Sequence, residues 1–191
     1  DFINKDNVAL ILGDNFFYAQ NLSSLLLEAT KLKKGSQVIL HKVNNPELYG
    51  VACVKKKKIS SIIEKPKKFI SDKAITGLYF FDNNVVNFSK KLQKSKRNEL
   101  EITDLLKIYN KQNKLKYKEL GRGAVWLDTG SIDDFYNASL FVSTIENRQG
   151  IKIACLEEIA LNNKWISKKE IKNSIKFYGK CKYSNYLKSF L

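Results

Sequence analysis

The alternation of short apolar runs with amphipathic helical stretches constrains this chain most. Residues 8–12 are continuously apolar, which is typical of a strand buried on both faces. Leu22, Leu25, Leu26 and Ala29 then recur at the spacing of one helical face. Because such runs and helices alternate along the chain, we predict an α/β fold with a layered, mixed but largely parallel sheet flanked by helices.

The remaining elements follow the same pattern. Residues 37–43 and 74–81 read as further strands, and "VACV" and "ISSIIEK" as a hairpin around a lysine turn. Helices are predicted from about residues 85 and 101, and from Ser131, a predicted N-cap, to about 147. We expect a core over residues 1–150 and a C-terminal helical segment over 151–191.

Composition limits the class of protein. The chain has 191 residues, 43% of them hydrophobic, which is enough for one sizeable core. No run approaches the ~20 apolar residues of a membrane helix. We therefore expect no membrane partner. The three cysteines, Cys53, Cys155 and Cys181, have neither disulfide-framework nor zinc spacing, so we expect the reducing cytoplasm as the compartment.

The net charge of +15 raises the possibility of a nucleic-acid surface. The lysines are scattered, however, and "KKKK" and "KPKK" are not interleaved with aromatic residues as in single-strand binders. A lysine-rich background is therefore the preferred interpretation over nucleic-acid binding. A positive field also suits phosphorylated substrates.

Two carboxylates follow predicted strands. Asp14 comes after the first apolar run in "LGDN", and Asp128 comes after the short strand "AVWL". Ligands of α/β sheets bind outside the carboxyl ends of the strands, and two carboxylates without His or Cys suit Mg²⁺. Each aspartate alone is equally typical of a turn.

Seven motifs, in this order, resemble the sugar-phosphate nucleotidyltransferase family, and most closely the branch that acts on glucose 1-phosphate and dTTP. The resemblance runs from about residue 7 to 166. The motifs are "LGDNFFY", "PELYGV", "IIEKPKK", "ITGLYFFD", "NELEITDLLKIY", "GRGAVWLDTGS" and "ENRQGIKIACLEEIA".

The resemblance implies a Rossmann-like nucleotide-diphospho-sugar transferase fold and a Mg²⁺-dependent reaction. In that reaction a sugar 1-phosphate attacks the α-phosphorus of a nucleoside triphosphate, giving a dTDP-sugar and pyrophosphate. In such a transfer the main tasks of the protein are to position the two substrates and to neutralise the charge of their phosphates. Family resemblance also implies a homotetramer with an allosteric nucleotide site at subunit contacts, for which the helix after Ser131 and the C-terminal segment are candidates.

The resemblance implies a role for individual residues of this sequence, one motif at a time. Asp14 and Asp128 match the family's metal-binding aspartates. Lys65 in "EKP" and Arg97 in "KRNELEITD" match its catalytic binders of the sugar phosphate, a point charge and a two-pronged donor.

The residues on the sugar side come from the motif of Lys65 and from two further motifs. Glu64 matches a carboxylate that accepts from sugar hydroxyls, Tyr49 and Gly50 match the loop against the sugar, and Ile75 matches a backbone contact. Glu64 and Lys65 can share a ligand only if their strand ends there, since neighbours on a strand face opposite ways. For Tyr79, a place near the site and core packing both remain open, and Trp126 is predicted to be core.

Two departures from the family pattern matter. Asn98 stands where the family commonly has Gly, which could alter the loop that aims Arg97. The family's N-terminal Gly-rich loop, which cradles the triphosphate, is absent: no G-x-G-T-R pattern occurs in the sequence, which also contains no Met. We therefore expect an N-terminally incomplete piece of a longer enzyme, inactive by itself. The alternatives are a non-catalytic sugar-phosphate-binding remnant or subunit and a uridylyl or cytidylyl transferase.

Overall fold

Two compact units make up the computed structural model, which describes residues 2–95 and 97–191. The first unit spans Asp1–Gly130 and the second spans Ser131–Leu191. This division falls after Gly130 rather than after residue 150, because the helix that follows groups with the C-terminal helices. The strands of the first unit are β1 (Val8–Ile11), β2 (Asn15–Tyr18), β3 (Ser36–Lys42), β4 (Gly50–Lys55), β5 (Lys58–Glu64), β6 (Lys73–Phe81), β7 (Leu115–Glu119) and β8 (Val125–Asp128), and its helices are α1 (Leu22–Thr30), α2 (Val85–Ser89) and α3 (Ile102–Lys111).

The main sheet has the strand order β5-β4-β6-β3-β7, with β1 also paired to β6. The predicted mixed sheet with flanking helices is confirmed. Among the described strands, however, only β3 and β7 pair in parallel, so the expectation that parallel pairing dominates is corrected. The predicted hairpin of β4 and β5 is antiparallel because of its tight turn at Lys56 and Lys57, both with positive φ. The expectation fails at β6, whose neighbours β1, β3 and β4 all run antiparallel to it.

Strand β6 forms the centre of the first unit. It pairs with β3 along one edge and with β4 and β1 along the other. Its residues 74–81 are all buried, as expected of an apolar strand covered on both faces. One face packs into a core that includes Val38, Tyr79 and Leu106, and the other packs with Phe80 against α1.

Strand β1 differs from its prediction. It pairs with β6 as an apolar strand should, but Leu10, Ile11 and Leu12 are 39%, 57% and 42% exposed. Leu10 and Ile11 are neighbours on the strand and point to opposite faces, so neither face of β1 is fully covered. The expectation that it is buried on both faces is therefore wrong for this chain.

The second unit is helical. Its helix α4 begins after Ser131, whose hydroxyl accepts from the Asp134 backbone N–H as an N-cap. The helical spacing of Ile132, Phe135 and Ala138 predicts one shared inward face, yet of these three only Ala138 is buried, and Ile132 and Phe135 are 88% and 63% exposed. The unit's helices are α4 (Ile132–Gln149), α5 (Leu156–Asn162), α6 (Lys168–Tyr178) and α7 (Lys182–Leu187).

The second unit has a small core of Cys155, Ile171 and Leu187. Hydrogen bonds between side chains of α5 and α7 connect these two helices. Glu157 accepts from the Tyr183 hydroxyl, and on the next residue Glu158 accepts from Tyr186. All three cysteines are free thiols. None of the described helices has the length and apolar character needed to cross a membrane.

Asp82 is a buried carboxylate that joins three elements at the end of β6. It accepts from the Gly35 backbone N–H at 2.7 Å, from the Tyr109 hydroxyl at 2.8 Å and from Asn84. Burial raises the pKa of Asp82, but these hydrogen bonds outweigh burial and hold the pKa below its usual value. The ionised form is thus built into the fold.

We predict that Asp82→Asn lowers the free energy of unfolding by about 2 kcal/mol at pH 7, since charge-assisted hydrogen bonds are lost. Because the folded pKa is depressed, the contribution of Asp82 is fully present above its unfolded pKa of about 3.9. It is lost as the pH falls through the folded pKa. Urea unfolding of both proteins from pH 7 to pH 3 should show curves that converge in acid.

Asp72→Asn serves as the control, because Asp72 pairs with Lys42 at the surface and such pairs contribute less than about 1 kcal/mol. A constant difference between Asp82→Asn and the parent down to pH 3 would contradict the role assigned to the ionised carboxylate.

Candidate functional site

The ladder between β2 and β8 brings the two predicted metal aspartates together. Asn15 lies directly opposite Asp128, and the carbonyl of Asp14 accepts from the backbone N–H and the hydroxyl of Thr129 at 2.8 and 2.9 Å. Asp14 and Asp128 are therefore diagonal neighbours, with α-carbons on the order of 6 Å apart. They are 114 positions apart in the chain, and the fold closes that distance.

Each carboxylate is oriented by a local hydrogen bond. Oδ1 of Asp14 accepts from Nδ2 of Asn15 at 2.8 Å, and Oδ1 of Asp128 accepts from the Gly130 backbone N–H at 3.0 Å. Paired carboxylate oxygens fit Mg²⁺, which commonly takes one or two protein carboxylates and completes its shell with water and substrate phosphate. Among the described residues, no group of three or more His, Cys, Asp or Glu is arranged so that it could hold a metal ion by itself.

Glu64 and Lys65 lie where β5 ends. Strand β5 stops at Glu64, and Lys65 takes a positive φ of 40° while its backbone N–H donates to the Tyr49 carbonyl at 3.0 Å. The strict alternation of faces therefore ends between these two residues. The Lys65 side chain is exposed and makes no ion pair within the described part of the chain.

Arg97 is surrounded by carboxylates. Its guanidinium contacts Glu99 at 2.6 Å and lies 3.8 Å from both Glu64 and Glu101. The next residue, Asn98, has a φ of 62°, a left-handed conformation that Gly adopts freely and that Asn tolerates better than most residues. The departure at position 98 is thus compatible with the turn that presents Arg97.

Gly50 is packed between Glu64 at the end of β5 and Thr103 in α3. It lies opposite Glu64 in the β4–β5 ladder, and a Cβ at this position would be 2.9 Å from Oε2 of Glu64 and 2.7 Å from Cγ2 of Thr103. Only glycine fits there without a shift of its neighbours. The adjacent Tyr49 places its ring 5.0 Å from the ring of Trp126.

Tyr79 is a buried phenol on β6 that is influenced by two of the predicted site carboxylates. It is 3% exposed, and burial raises its pKa above the usual value, with further contributions from the charges of Glu64 and Asp14. Ile75, on the same strand, is buried and pairs with Leu40.

Asn15 is the residue that sequence reasoning missed. Its Oδ1 accepts from the Gly77 backbone N–H at 3.0 Å and from Nε1 of Trp126 at 2.6 Å, while Nδ2 donates to Asp14. Trp126 is buried as predicted, but its indole N–H is part of this polar network. The available signal was that Asn15 directly follows Asp14 in "LGDN". In sequence alone, however, Asn at this position is equally typical of a turn.

A groove of the first unit lies away from these residues. It has a volume of about 1170 Å³ and includes none of the predicted site residues. Its charged lining is mixed, with Lys118 already paired to Glu28 at 2.8 Å.

The family model described as nucleotidyl transferase matches residues 1–145. The chain belongs to the nucleotidyl transferase family. Among curated family members, the glucose-1-phosphate thymidylyltransferase of Neisseria meningitidis is 44% identical over 98% of this chain and 65% of its own length. The corresponding protein of Mycobacterium tuberculosis H37Rv is 38% identical over 99% of the chain and 66% of its length. This family member thus spans about two thirds of the length of the relatives it matches.

Solved structures of nucleotidyl transferases agree with the fold. A Bacillus anthracis protein assigned as a glucose-1-phosphate thymidylyltransferase, in complex with sucrose, aligns with a TM-score of 0.66 at 38% identity, over 73% of this chain and 56% of that chain. A UDP-glucose pyrophosphorylase complexed with UDP-glucose aligns with a TM-score of 0.64 at 23% identity, over 75% of this chain and 58% of that chain, which supports the fold alone.

We predict that Gly77→Ala disrupts the network at Asn15, because the added Cβ would lie 2.5 Å from Oδ1 of Asn15. The free energy of unfolding should fall by about 1–3 kcal/mol, the usual cost of overpacking. The indole N–H resonance of Trp126 should shift, since its hydrogen bond to Asn15 must lengthen.

Gly121→Ala is the matched control, because nothing lies within 4 Å of a Cβ at that position. Denaturant unfolding and the two indole signals in a ¹⁵N–¹H spectrum measure both effects. Equal behaviour of the two variants would refute the close approach at Gly77.

Proposed function

We propose that the whole protein joins dTTP and glucose 1-phosphate to give dTDP-glucose and pyrophosphate. The observation that carries this proposal is that the β2–β8 ladder brings Asp14 next to Asp128, while Glu64 lies 3.8 Å from the Arg97 guanidinium. A metal-binding carboxylate pair beside a cationic pocket is what a transfer between two phosphorylated substrates requires. The family relationship supports the same reaction class.

Asp14 and Asp128 would hold the Mg²⁺ ion, whose chemistry is to neutralise the charge of the phosphates. The exposed ammonium of Lys65 and the fork of Arg97 would bind the phosphate of glucose 1-phosphate and orient its attacking oxygen. Glu64 would accept hydrogen bonds from sugar hydroxyls.

The remaining contacts would come from the sugar side of the site. Tyr49, Gly50 and Ile75 would form the wall against the sugar, and the missing side chain at Gly50 leaves the Glu64 carboxylate in place beside it. Together these residues bind and orient the phosphorylated hexose.

Arg97 must exchange partners when the sugar phosphate binds. In this structure its guanidinium is neutralised by Glu99 and approached by Glu64 and Glu101. A phosphate dianion offers more charge and a matching pair of oxygens, so it can displace the exposed Glu99. Release of Glu64 from Arg97 would at the same time free its carboxylate for sugar hydroxyls.

A sugar-phosphate-binding remnant without catalytic activity is the second candidate. In this role the chain would bind the sugar phosphate without the triphosphate, whose main cradle in such enzymes is formed by backbone N–H groups of a Gly-rich loop. Both candidates share the sugar-phosphate site, and they differ in whether this chain takes part in pyrophosphate release.

We propose a cytoplasmic homo-oligomer, a tetramer by analogy with the family, as the working form. The free thiols and phosphorylated substrates suit the cytoplasm. Helix α4 exposes Ile132, Phe135 and Leu140, at 88%, 63% and 55%, which suits a contact surface.

We predict that the chain binds glucose 1-phosphate and that Arg97→Ala weakens this binding about 10- to 100-fold, the effect of losing charge-assisted hydrogen bonds. Arg97→Lys should recover only part of the loss, because it keeps the charge but not the fork. Isothermal titration calorimetry measures both.

Arg148→Ala, at an exposed position of α4, removes the same charge outside the site and should leave the affinity unchanged. If Arg148→Ala weakened binding as much as Arg97→Ala, binding would reflect only the net charge of +15.

We predict pyrophosphate release from dTTP, glucose 1-phosphate and Mg²⁺ when the chain is supplemented with the N-terminal part of the Neisseria meningitidis relative, and none from the chain alone. Asp14→Asn and Asp128→Asn should each reduce the supplemented rate at least about 100-fold, since electrostatic stabilisation is the main catalytic contribution. A coupled pyrophosphate assay gives the rates.

No release from the supplemented parent chain, with glucose 1-phosphate still bound, would favour the non-catalytic candidate. Release that survives both aspartate substitutions would instead overturn the metal assignment.

A further inference from the structure

The side-chain amide of Asn15 has one possible orientation. Two N–H donors, the Gly77 backbone at 3.0 Å and the Trp126 indole at 2.6 Å, point at the same atom of this amide. That atom must be the carbonyl oxygen, because an NH₂ group cannot accept from either donor. The NH₂ group is therefore directed to the Asp14 carboxylate, 2.8 Å away.

Both backbone groups of Gly77, its carbonyl and its N–H, hold the segment that carries Asn15. The Gly77 carbonyl accepts from the Leu12 backbone N–H at 2.9 Å, and the Gly77 N–H donates to Asn15. The chain between Leu12 and Asn15, which contains Asp14, is thus held at both ends by one residue of β6. The absence of a Cβ at position 77 allows the amide to come this close.

The bond from Asn15 changes the direction in which Asp14 points. Asn15 and Asp128 face each other across the β2–β8 ladder and so share a face. The residue before Asn15 would point to the opposite face in a regular strand. Because the Asp14 carboxylate bonds to the Asn15 side chain, it is turned towards the face that carries Asp128.

We propose that Asn15 is a positioning residue that turns the exposed Asp14 carboxylate towards Asp128 and prepares the pair for a divalent cation. This inference rests on the proposed function, because it assigns a purpose to the metal-binding role of Asp14. The exposed side chain of Asp14 would otherwise sample several rotamers, and binding a cation would then require it to be ordered. Outer hydrogen bonds to metal ligands commonly change metal affinity 10- to 100-fold.

The first test needs no metal and no substrate. Side-chain scalar couplings of Asp14 should show one dominant χ1 rotamer in the parent chain and rotamer averaging in Asn15→Ala. Asn83→Ala is the matched control, because the Asn83 amide also donates two hydrogen bonds, to the carbonyls of Asn4 and Asp6, outside the site. Averaging of Asp14 already in the parent, or one rotamer in all three proteins, would overturn the positioning role.

The second test measures cation binding with Mn²⁺ as the probe. The chain has two tryptophans, Trp126 and Trp165, and Trp165→Phe assigns their indole signals. Paramagnetic broadening of the Trp126 indole N–H during a Mn²⁺ titration gives an apparent Kd. Asn15→Ala should raise this Kd about 10-fold, and Asn83→Ala should leave it unchanged.

A double-mutant cycle separates positioning from a general structural effect. If Asn15 acts through Asp14, adding Asn15→Ala to Asp14→Ala should cause no further loss of Mn²⁺ affinity. An equal loss in both backgrounds, or an unchanged Kd in Asn15→Ala with only a lower unfolding midpoint, would overturn the proposal. A parent chain with a fixed Asp14 but no broadening by Mn²⁺ would refute the metal site of the proposed function, and with it the purpose assigned to Asn15.

Discussion

The hydrogen bonds of the Asn15 amide connect the short β2–β8 ribbon to the centre of the main sheet. The amide accepts from Gly77 on β6 and from Trp126 on β8, and it donates to Asp14. One acid precedes β2 and the other ends β8, so their distance from the rest of the site depends on this connection. Strand β6 is the most completely buried strand and gives the ribbon a rigid base.

Local patterns were enough to predict most of the first unit. The apolar run of β6, the helical face of α1 and the lysine turn between β4 and β5 all form as expected. Strand direction was harder, because the sequence of a buried strand is the same whichever way its neighbour runs. Parallel pairing was inferred from helices between strands, yet β6 receives antiparallel neighbours on both edges.

Strand β2 was not predicted at all. Its four residues pair with β8 more than a hundred positions later, and a pairing of that kind leaves no local periodicity in the sequence. For the same reason Asn15 was read only as part of a turn. The positions of Asp14, Glu64, Lys65 and Arg97 came from motif resemblance, whereas the contacts among them, such as the approach of Arg97 to Glu64, could come only from the folded chain.

Anomalous diffraction from crystals of this chain soaked with Mn²⁺ and glucose 1-phosphate tests the central claim most directly. If Asp14 and Asp128 hold the metal, a manganese peak should lie within about 2.0–2.6 Å of carboxylate oxygens of both residues, as for oxygen-bound divalent ions. A phosphate should lie between Lys65 and Arg97, with Glu99 displaced. Manganese bound away from both aspartates, or the sugar phosphate in the lysine-lined groove between β5 and β7, would contradict it.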